Sequence, residues 1–218
     1  MNKHVSGLVT RYIEGDPTIR VGLMRGLIPS RCLTRHILSE RRELRKNYDD
    51  VRNAVRRYAG QDAVDLRNVY SAFKDSNVDV KSNLTYIEVR QLNSLTQLPG
   101  ILGRFDGNEF INIINSRNSI ILIIPDNYID AVVASIGRAN ISSVKDGICS
   151  ITVHFDPSVK QTPGVYFLIM GQLSLNNINI YDICSCESEM TVYVEQKDGA
   201  RVHQLLYDLS EYEKSFAG

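Results

Sequence analysis

Apolar positions recur along this chain with two different periods, and the change of period divides it. Up to about residue 75 they return every three or four positions, the spacing of one helix face. Val5, Leu8, Val9, Tyr12 and Ile13 predict a helix over residues 3–14. Gly15-Asp16-Pro17 breaks it and starts a second, with Asp16 as N-cap and Pro17 in the first turn. Ile19, Val21, Leu23 and Met24 lie on that helix, which ends near Gly26. Ser30 is the expected N-cap of a third helix, Arg31 to about Lys46, with Leu33, Ile37, Leu38 and Leu44 inward. A fourth runs roughly from Asp49 to Tyr58 and a fifth from Ala63 to Phe73.

Beyond residue 80 the period changes to two. Leu84 to Arg90 alternates as a strand, Phe110 to Ile114 and Ile120 to Ile124 follow, and Pro125-Asp126-Asn127 opens a helix, Tyr128 to Arg138. The same order then returns. Ile148 to Phe155 alternates, a polar loop leads to Pro163-Gly164, and a helix spans Val165 to Leu175. Strands Ile178 to Cys184 and Met190 to Glu195 come next, then Asp198-Gly199 and a last helix, Ala200 to Leu209. The Pro-Gly pairs at Pro99 and Pro163 stand 64 apart, and the third strands about 70 apart. An internal β-α-β-β-α repeat accounts for both offsets if the first copy has a shorter first helix.

The fold class expected is α+β. An all-α domain of residues 1–80 precedes two ferredoxin-like βαββα(β) modules, 81–145 and 146–210, with a tail at 211–218. Net charge is zero, but residues 1–80 hold 15 Lys+Arg against 10 Asp+Glu and the rest hold 10 against 15. A basic front and an acidic back suggest different partners for the two parts. The longest apolar run, Ser119 to Pro125, is of strand length, so no membrane span is expected. Cys32, Cys149, Cys184 and Cys186 follow no disulfide or zinc spacing, and a cytoplasmic location is expected. No phosphate-binding, dinucleotide, HExxH or CxxC motif occurs, so neither an enzyme nor a cofactor or metal is expected. His154 and His36 read as ordinary surface or core residues.

With Pro163-Gly164 opening the first helix of the second copy and Asn177-Ile178-Asn179-Ile180 opening its second strand, this stretch resembles an ACT domain. The tandem resembles the regulatory ACT pair of aspartate kinases without the kinase. That resemblance implies an amino-acid ligand held by Asp156, Thr162, Gly164 and Val165 on the loop side and Asn177, Ile178 and Asn179 on the strand side. A helix N-terminus offers N–H groups and a positive dipole end to a carboxylate, and Asp156 is suited to an ammonium group. It also implies a homodimer, or a higher even oligomer, formed through ACT sheets. The first copy has Gln97-Leu98-Pro99-Gly100 and no Asp in the matching loop.

The second and third helices resemble a helix-turn-helix. In that reading the third helix enters the major groove of DNA with Ser30, Arg31, Thr34 and Arg35, and Arg41 and Arg42 follow, since arginine suits phosphate and guanine. Asn77 to Lys81 would supply a wing. The alternative for this helix is a charged face that is only solvated. The function expected is therefore an amino-acid-sensing transcriptional regulator. The alternative is a regulatory subunit that binds no DNA and docks on a biosynthetic enzyme.

Overall fold

The computed structural model describes residues 3–60, 66–74, 76–90, 109–156, 161–186 and 188–212, with Gly100, Gly103, Phe105 and Val159 between them. The chain forms two compact units, Met1–Asp65 and Leu66–Gly218.

In the first unit, α1 (Lys3–Glu14) turns Val5, Val9 and Ile13 inward. The Asp16 carboxylate caps α2 (Pro17–Met24), accepting from the backbone N–H groups of Thr18 at 2.8 Å and Ile19 at 3.2 Å. A hydrogen bond from the Thr18 hydroxyl, together with those from the backbone, holds its carboxyl below the usual range. Gly26 ends α2 at φ 73°, where its N–H reaches the Leu23 carbonyl and that of Leu27 reaches Gly22. This paired closure needs a residue that tolerates positive φ. α3 (Ser30–Glu40) and α4 (Tyr48–Ala59) complete the unit, joined through a 3-10 turn at Arg42–Leu44. Leu23, Leu33, Ile37, Leu44, Val51, Val55 and Tyr58 close the core with the residues of α1. Each such side chain contributes about 1.5–3 kcal/mol by leaving water.

Two expectations change here. Pro29, not Ser30, precedes α3, and Ser30 is its first helical residue. The third helix also stops at Glu40 instead of reaching Lys46. Arg41 takes an extended conformation, and the Arg45 guanidinium donates to the carbonyls of Leu38 and Ser39, closing the helix end.

Among the described residues the second unit forms one antiparallel sheet of six strands in the order β2-β3-β1-β4-β6-β5. Its strands are β1 (Asn77–Arg90), β2 (Asn112–Asn115), β3 (Ser119–Pro125), β4 (Ile141–His154), β5 (Ile180–Ser185) and β6 (Glu189–Glu195). Its helices are α5 (Leu66–Ser71), α6 (Ile129–Ile136), α7 (Val165–Leu175) and α8 (Gly199–Glu211). The fifth helix, read from sequence as part of the N-terminal bundle, belongs here: Val69 and Phe73 pack with Val153, Ile169 and Leu206. Asn77 to Lys81 is no wing, because it pairs with Ser150–His154 inside the sheet.

β1 and β4 are each 14 residues long and lie side by side at the centre. A shift of 64 positions carries Lys81 onto Lys145 and Tyr86 onto Ser150, so the pair Lys81·Ser150 maps onto the pair Lys145·Tyr86. Leu84·Ile148 maps onto itself and marks a local two-fold axis. Asn83 and Gly147, equivalent under the same shift, both have positive φ, at 60° and 64°. The outer strands obey the symmetry too: Leu84·Pro125 to Arg90·Ser119 matches Ile148·Glu195 to His154·Glu189. Each half has the strand order 2-3-1-4. The second half of β1 opens one half and its first half closes the other, with β4 doing the reverse.

The helices cover one face. On it, Ile87, Val89, Ile120, Leu122 and Ile124 pack under α6, and Cys149, Ile151, Val153, Val192 and Val194 pack under α7 and α8. The opposite face carries its own core of Leu84, Ile123, Ile148 and Tyr193. The Asn112 amide donates to the Tyr193 hydroxyl at 2.6 Å, although three strands separate β2 from β6. Four strand spacings in a flat sheet span about 19 Å, so this face is strongly concave. The first helix of the first copy, including Gln97 to Pro99, lies outside the described residues.

Candidate ligand and nucleic-acid interfaces

The residues expected to hold an amino acid all lie around α7. Its N-cap is Gly164 at φ 103°, and among the described residues no side chain caps this end. The Gly164 carbonyl accepts from Leu168 N–H at 3.0 Å, so the first N–H groups of the helix point past it. Val165 is buried, Thr162 half-buried and Asp156 exposed. Backbone bonds from Val159 N–H to the Asp156 carbonyl and from Thr162 N–H to the Val159 carbonyl fold the loop back toward the helix start.

At the other end of α7 the Asn177-Ile178-Asn179 stretch does a local job. Asn177 stands at φ 55°, its N–H donates to the Ser174 carbonyl, and Ile178 N–H donates to Leu173. Asn is among the few residues besides Gly that accept this conformation at a helix end. Ile178 is buried against the helix it terminates, while Asn177 and Asn179 are more open to solvent. An 11-residue helix is roughly 16 Å long. The two groups of candidate residues thus sit at opposite ends of one helix, and a single chain does not bring them together.

Neighbouring polar residues form networks that sequence reading misses. His154 lies between Asp79, 2.9 Å from Nε2, and Glu189, 3.2 Å from Nδ1. These three come from β1, β4 and β6, and only the pairing of distant strands reveals them. Glu195 accepts from Tyr181 at 3.0 Å, lies 3.5 Å from Lys145 and pairs with Lys197. The Lys197 and Tyr181 hydrogen bonds hold its carboxyl down at about 2. Among the described residues no group of three His, Cys, Asp or Glu side chains is placed to hold a metal.

On the helical unit, Arg31, Arg35, Arg41 and Arg42 are exposed and Ser30 is half-buried. Thr34 is fully buried and its hydroxyl donates to the Ser30 carbonyl at 2.7 Å. It faces the core beside Leu33 and Ile37, so the third helix cannot present it to DNA. Arg41 and Arg42 lie past the end of α3, and the Arg41 guanidinium sits 5.6 Å from the centre of the Tyr12 ring. Two clefts flank that stack. One of about 220 Å³ is lined by Leu8, Arg11, Glu43 and Leu44, and one of about 260 Å³ by Gly15, Asp16 and Ile19. Tyr12 donates to Glu40 at 2.6 Å, and burial with this carboxylate pushes its hydroxyl up to about 12.

No family model matches this chain, and no curated protein does. Solved structures do match its fold. The aspartate kinase of Clostridium acetobutylicum aligns at a TM-score of 0.53 and 20% identity over 61% of this chain. Only 34% of that kinase is covered, so this chain corresponds to about a third of it. A chain from a structure of aspartokinase alpha and beta subunits aligns at 0.50 and 17% identity over 61% of this chain and 96% of its own length. The regulatory subunit of aspartate kinase from Thermus thermophilus aligns at 0.50 and 11% identity, with 95% of its length covered. The chain therefore carries an ACT-like α+β fold of the kind found in aspartate kinase regulatory chains. No described helix is long and apolar enough to cross a membrane.

Proposed function

We propose that this protein is an amino-acid-sensing regulator: two ACT modules sharing their long central strands form the sensor, and the helical unit delivers the response. The observation that supports this most directly is the uncapped start of α7 at Gly164, over a sheet with the fold of whole regulatory chains. A carboxylate suits that helix start, and Asp156 suits the ammonium group. Asn177, Ile178 and Asn179 belong to the same site only if a second copy supplies them, so the working form is a homodimer in the cytoplasm. The boundaries expected from sequence, 1–80, 81–145, 146–210 and a tail 211–218, are kept for the modules and tail, while the helical unit ends at Asp65 and α5 and Asn77–Lys81 join the sheet unit. In each module the closing strand comes from the other's central strand.

The response we propose is on DNA, through Arg31 and Arg35 of α3 with Arg41 and Arg42 beyond it. Basic exposed side chains next to a glycine-closed turn support it. Docking on a biosynthetic enzyme is favoured by a different observation, the 96% and 95% coverage of chains that work as parts of aspartate kinases.

A thermal-shift screen against the twenty amino acids tests the sensor. A ligand at 100 times its dissociation constant stabilises the folded state by about 2.7 kcal/mol. One or two hits are expected, and none would refute the reading. Salt-dependent binding to duplex DNA, weakened in Arg31→Ala/Arg35→Ala, separates the two outputs.

A further inference from the structure

Arg11 lies on α1 and Arg41 just past α3, and the helical unit brings these distant positions to one place. Both border each of the two clefts beside Tyr12. Neither forms an ion pair among the described residues. Other arginines of the unit have partners: Arg45 donates to the Leu38 and Ser39 carbonyls, and Arg57 to the Ser6 hydroxyl. The carboxylates nearest the pair are engaged elsewhere. Glu40 accepts from the Tyr12 hydroxyl at 2.6 Å and lies 3.6 Å from His36 Nε2. Asp16 Oδ1 accepts from the Thr18 hydroxyl and from the N–H groups of Thr18 and Ile19.

Both guanidiniums are held in place. Arg41 sits over the Tyr12 ring, which the Glu40 hydrogen bond fixes and the His36 ring meets edge-on at 6.3 Å. Arg11 Nε reaches back one helical turn to the Gly7 carbonyl at 3.4 Å, and its terminal nitrogens have no hydrogen bond among the described residues. A guanidinium already positioned loses little freedom when it meets an oxyanion. Of the two clefts, the one of about 260 Å³ suits an anion better. Its carboxylate, Asp16, already accepts three hydrogen bonds, whereas Glu43 on the other cleft has none among the described residues. Ile19 supplies an apolar wall.

We infer that the cleft between Arg11, Tyr12, Arg41 and Ile19 binds a small organic oxyanion, a carboxylate or phosphate whose oxygens meet both guanidiniums and whose apolar body rests on Ile19. Charge-assisted hydrogen bonds from a planar guanidinium fork are the strong kind, and carboxylates and phosphates accept them alike. The volume lies below the roughly 300–1,000 Å³ of pockets for drug-sized ligands, so the ligand is small. The site lies wholly within the helical unit, is separate from α7 and requires neither a second copy nor the sensor reading. Arg41 is also one of the side chains proposed above for DNA. A DNA phosphate is therefore the other source of the same oxyanion, and a small anion in the cleft would withdraw Arg41 from DNA.

The test is a titration of the isotope-labelled full chain, followed by NMR at the Nε–Hε cross-peaks of Arg11 and Arg41. The probes are benzoate, phenyl phosphate and inorganic phosphate, each compared with sodium chloride at equal ionic strength, with short duplex DNA as a separate arm. Saturable shifts of both cross-peaks are expected with benzoate or phenyl phosphate, at lower concentration than with inorganic phosphate. Arg11→Gln and Arg41→Gln should each weaken that binding by about tenfold, and Arg52→Gln, at an exposed position on α4, should leave it unchanged. Far-UV circular dichroism checks folding, and if one of the first two variants unfolds the other decides. Shifts no larger than those with chloride, inorganic phosphate binding as tightly as the organic probes, or binding that survives both substitutions would overturn the inference. Shifts with duplex DNA alone would overturn it too and assign the arginines to DNA. Failure of amino-acid binding at α7 does not touch this result, because benzoate carries no ammonium group and both reporters lie on the helical unit.

Discussion

The contact between Asn112 and Tyr193 is the most exacting test of how the sheet is curved. Replacing Tyr193 with Phe removes a hydroxyl that is only reachable from β2 if the face is concave. The hydroxyl belongs to a side chain 1% exposed and accepts from Asn112 at 2.6 Å. Tyr193→Phe would leave the half-buried Asn112 amide to find water, at a cost of about 0.5–1.5 kcal/mol. Asn112→Ala is harsher, because it strands the Tyr193 hydroxyl in an apolar core with Leu84, Ile123 and Ile148, costing roughly 1–3 kcal/mol. The double variant should cost less than the sum of the two by about 1 kcal/mol, the coupling of a neutral buried hydrogen bond. Two units in one chain make a global unfolding curve ambiguous. Peptide-resolved hydrogen exchange over β3 and β6 reads the sheet alone. Additive single effects, within about 0.3 kcal/mol, would refute the concave face.

Three further outcomes follow from individual groups. Burial pushes the Tyr193 hydroxyl up to about 12 from 10.0, so its contribution is complete below pH 10 and is lost as pH rises through about 12; Tyr193→Phe should flatten the alkaline limb of an unfolding titration. Glu195 is held down at about 2 from 4.5, so its contribution is present above pH 4.5 and lost as pH falls through about 2. Glu195→Gln should therefore make stability less dependent on pH across that acid range, as read by denaturant midpoints. In the helical unit, Gly26→Ala forces a side chain into φ 73° and should lower stability by about 1–2 kcal/mol, whereas Gly7→Ala, with open space at its Cβ, should raise it by about 0.5–1 kcal/mol; thermal melts of the two variants should move in opposite directions.

What the sequence reveals depends on how local each signal is. α7 has the predicted bounds, since Pro163-Gly164 and the Asn177 turn punctuate it within the chain. Strand β6 begins one residue earlier than expected, and α8 extends two residues further. The long strands are half legible. Ser142, Ser143, Asp146 and Gly147 hide the first half of β4, and the positive φ at Asn83 and Gly147 interrupts alternation in the middle of both strands. Asn77 to Lys81 alternates too briefly to declare its partner, Ser150–His154, far along the chain. Thr34 misleads because its residue type suits a polar face, while its place on α3 beside Leu33 and Ile37 turns it into the core. At the candidate ligand site, residue types are readable but their separation is not. The length of α7 keeps Gly164 and Asn177 apart, and that is a fact of three dimensions.

Sharing strands changes what the two halves can do independently. Residues 84–147 hold all four strands of one half in one continuous stretch. The other half runs from Ile148 to the end of α8 and lacks a fourth strand until Asn77–Lys81 returns beside Ser150–His154. Its core also needs Val69 and Phe73, which stack before β1 against Val153 and Phe155. The half bearing the candidate ligand residues is therefore closed by the first half of β1, which follows α5 in the chain. β4 holds the strand formed by that segment through the pairs Asn77·His154 to Lys81·Ser150. Asn77–Lys81 is thus both the first strand of the sheet in the chain and the last strand that closes the half bearing α7.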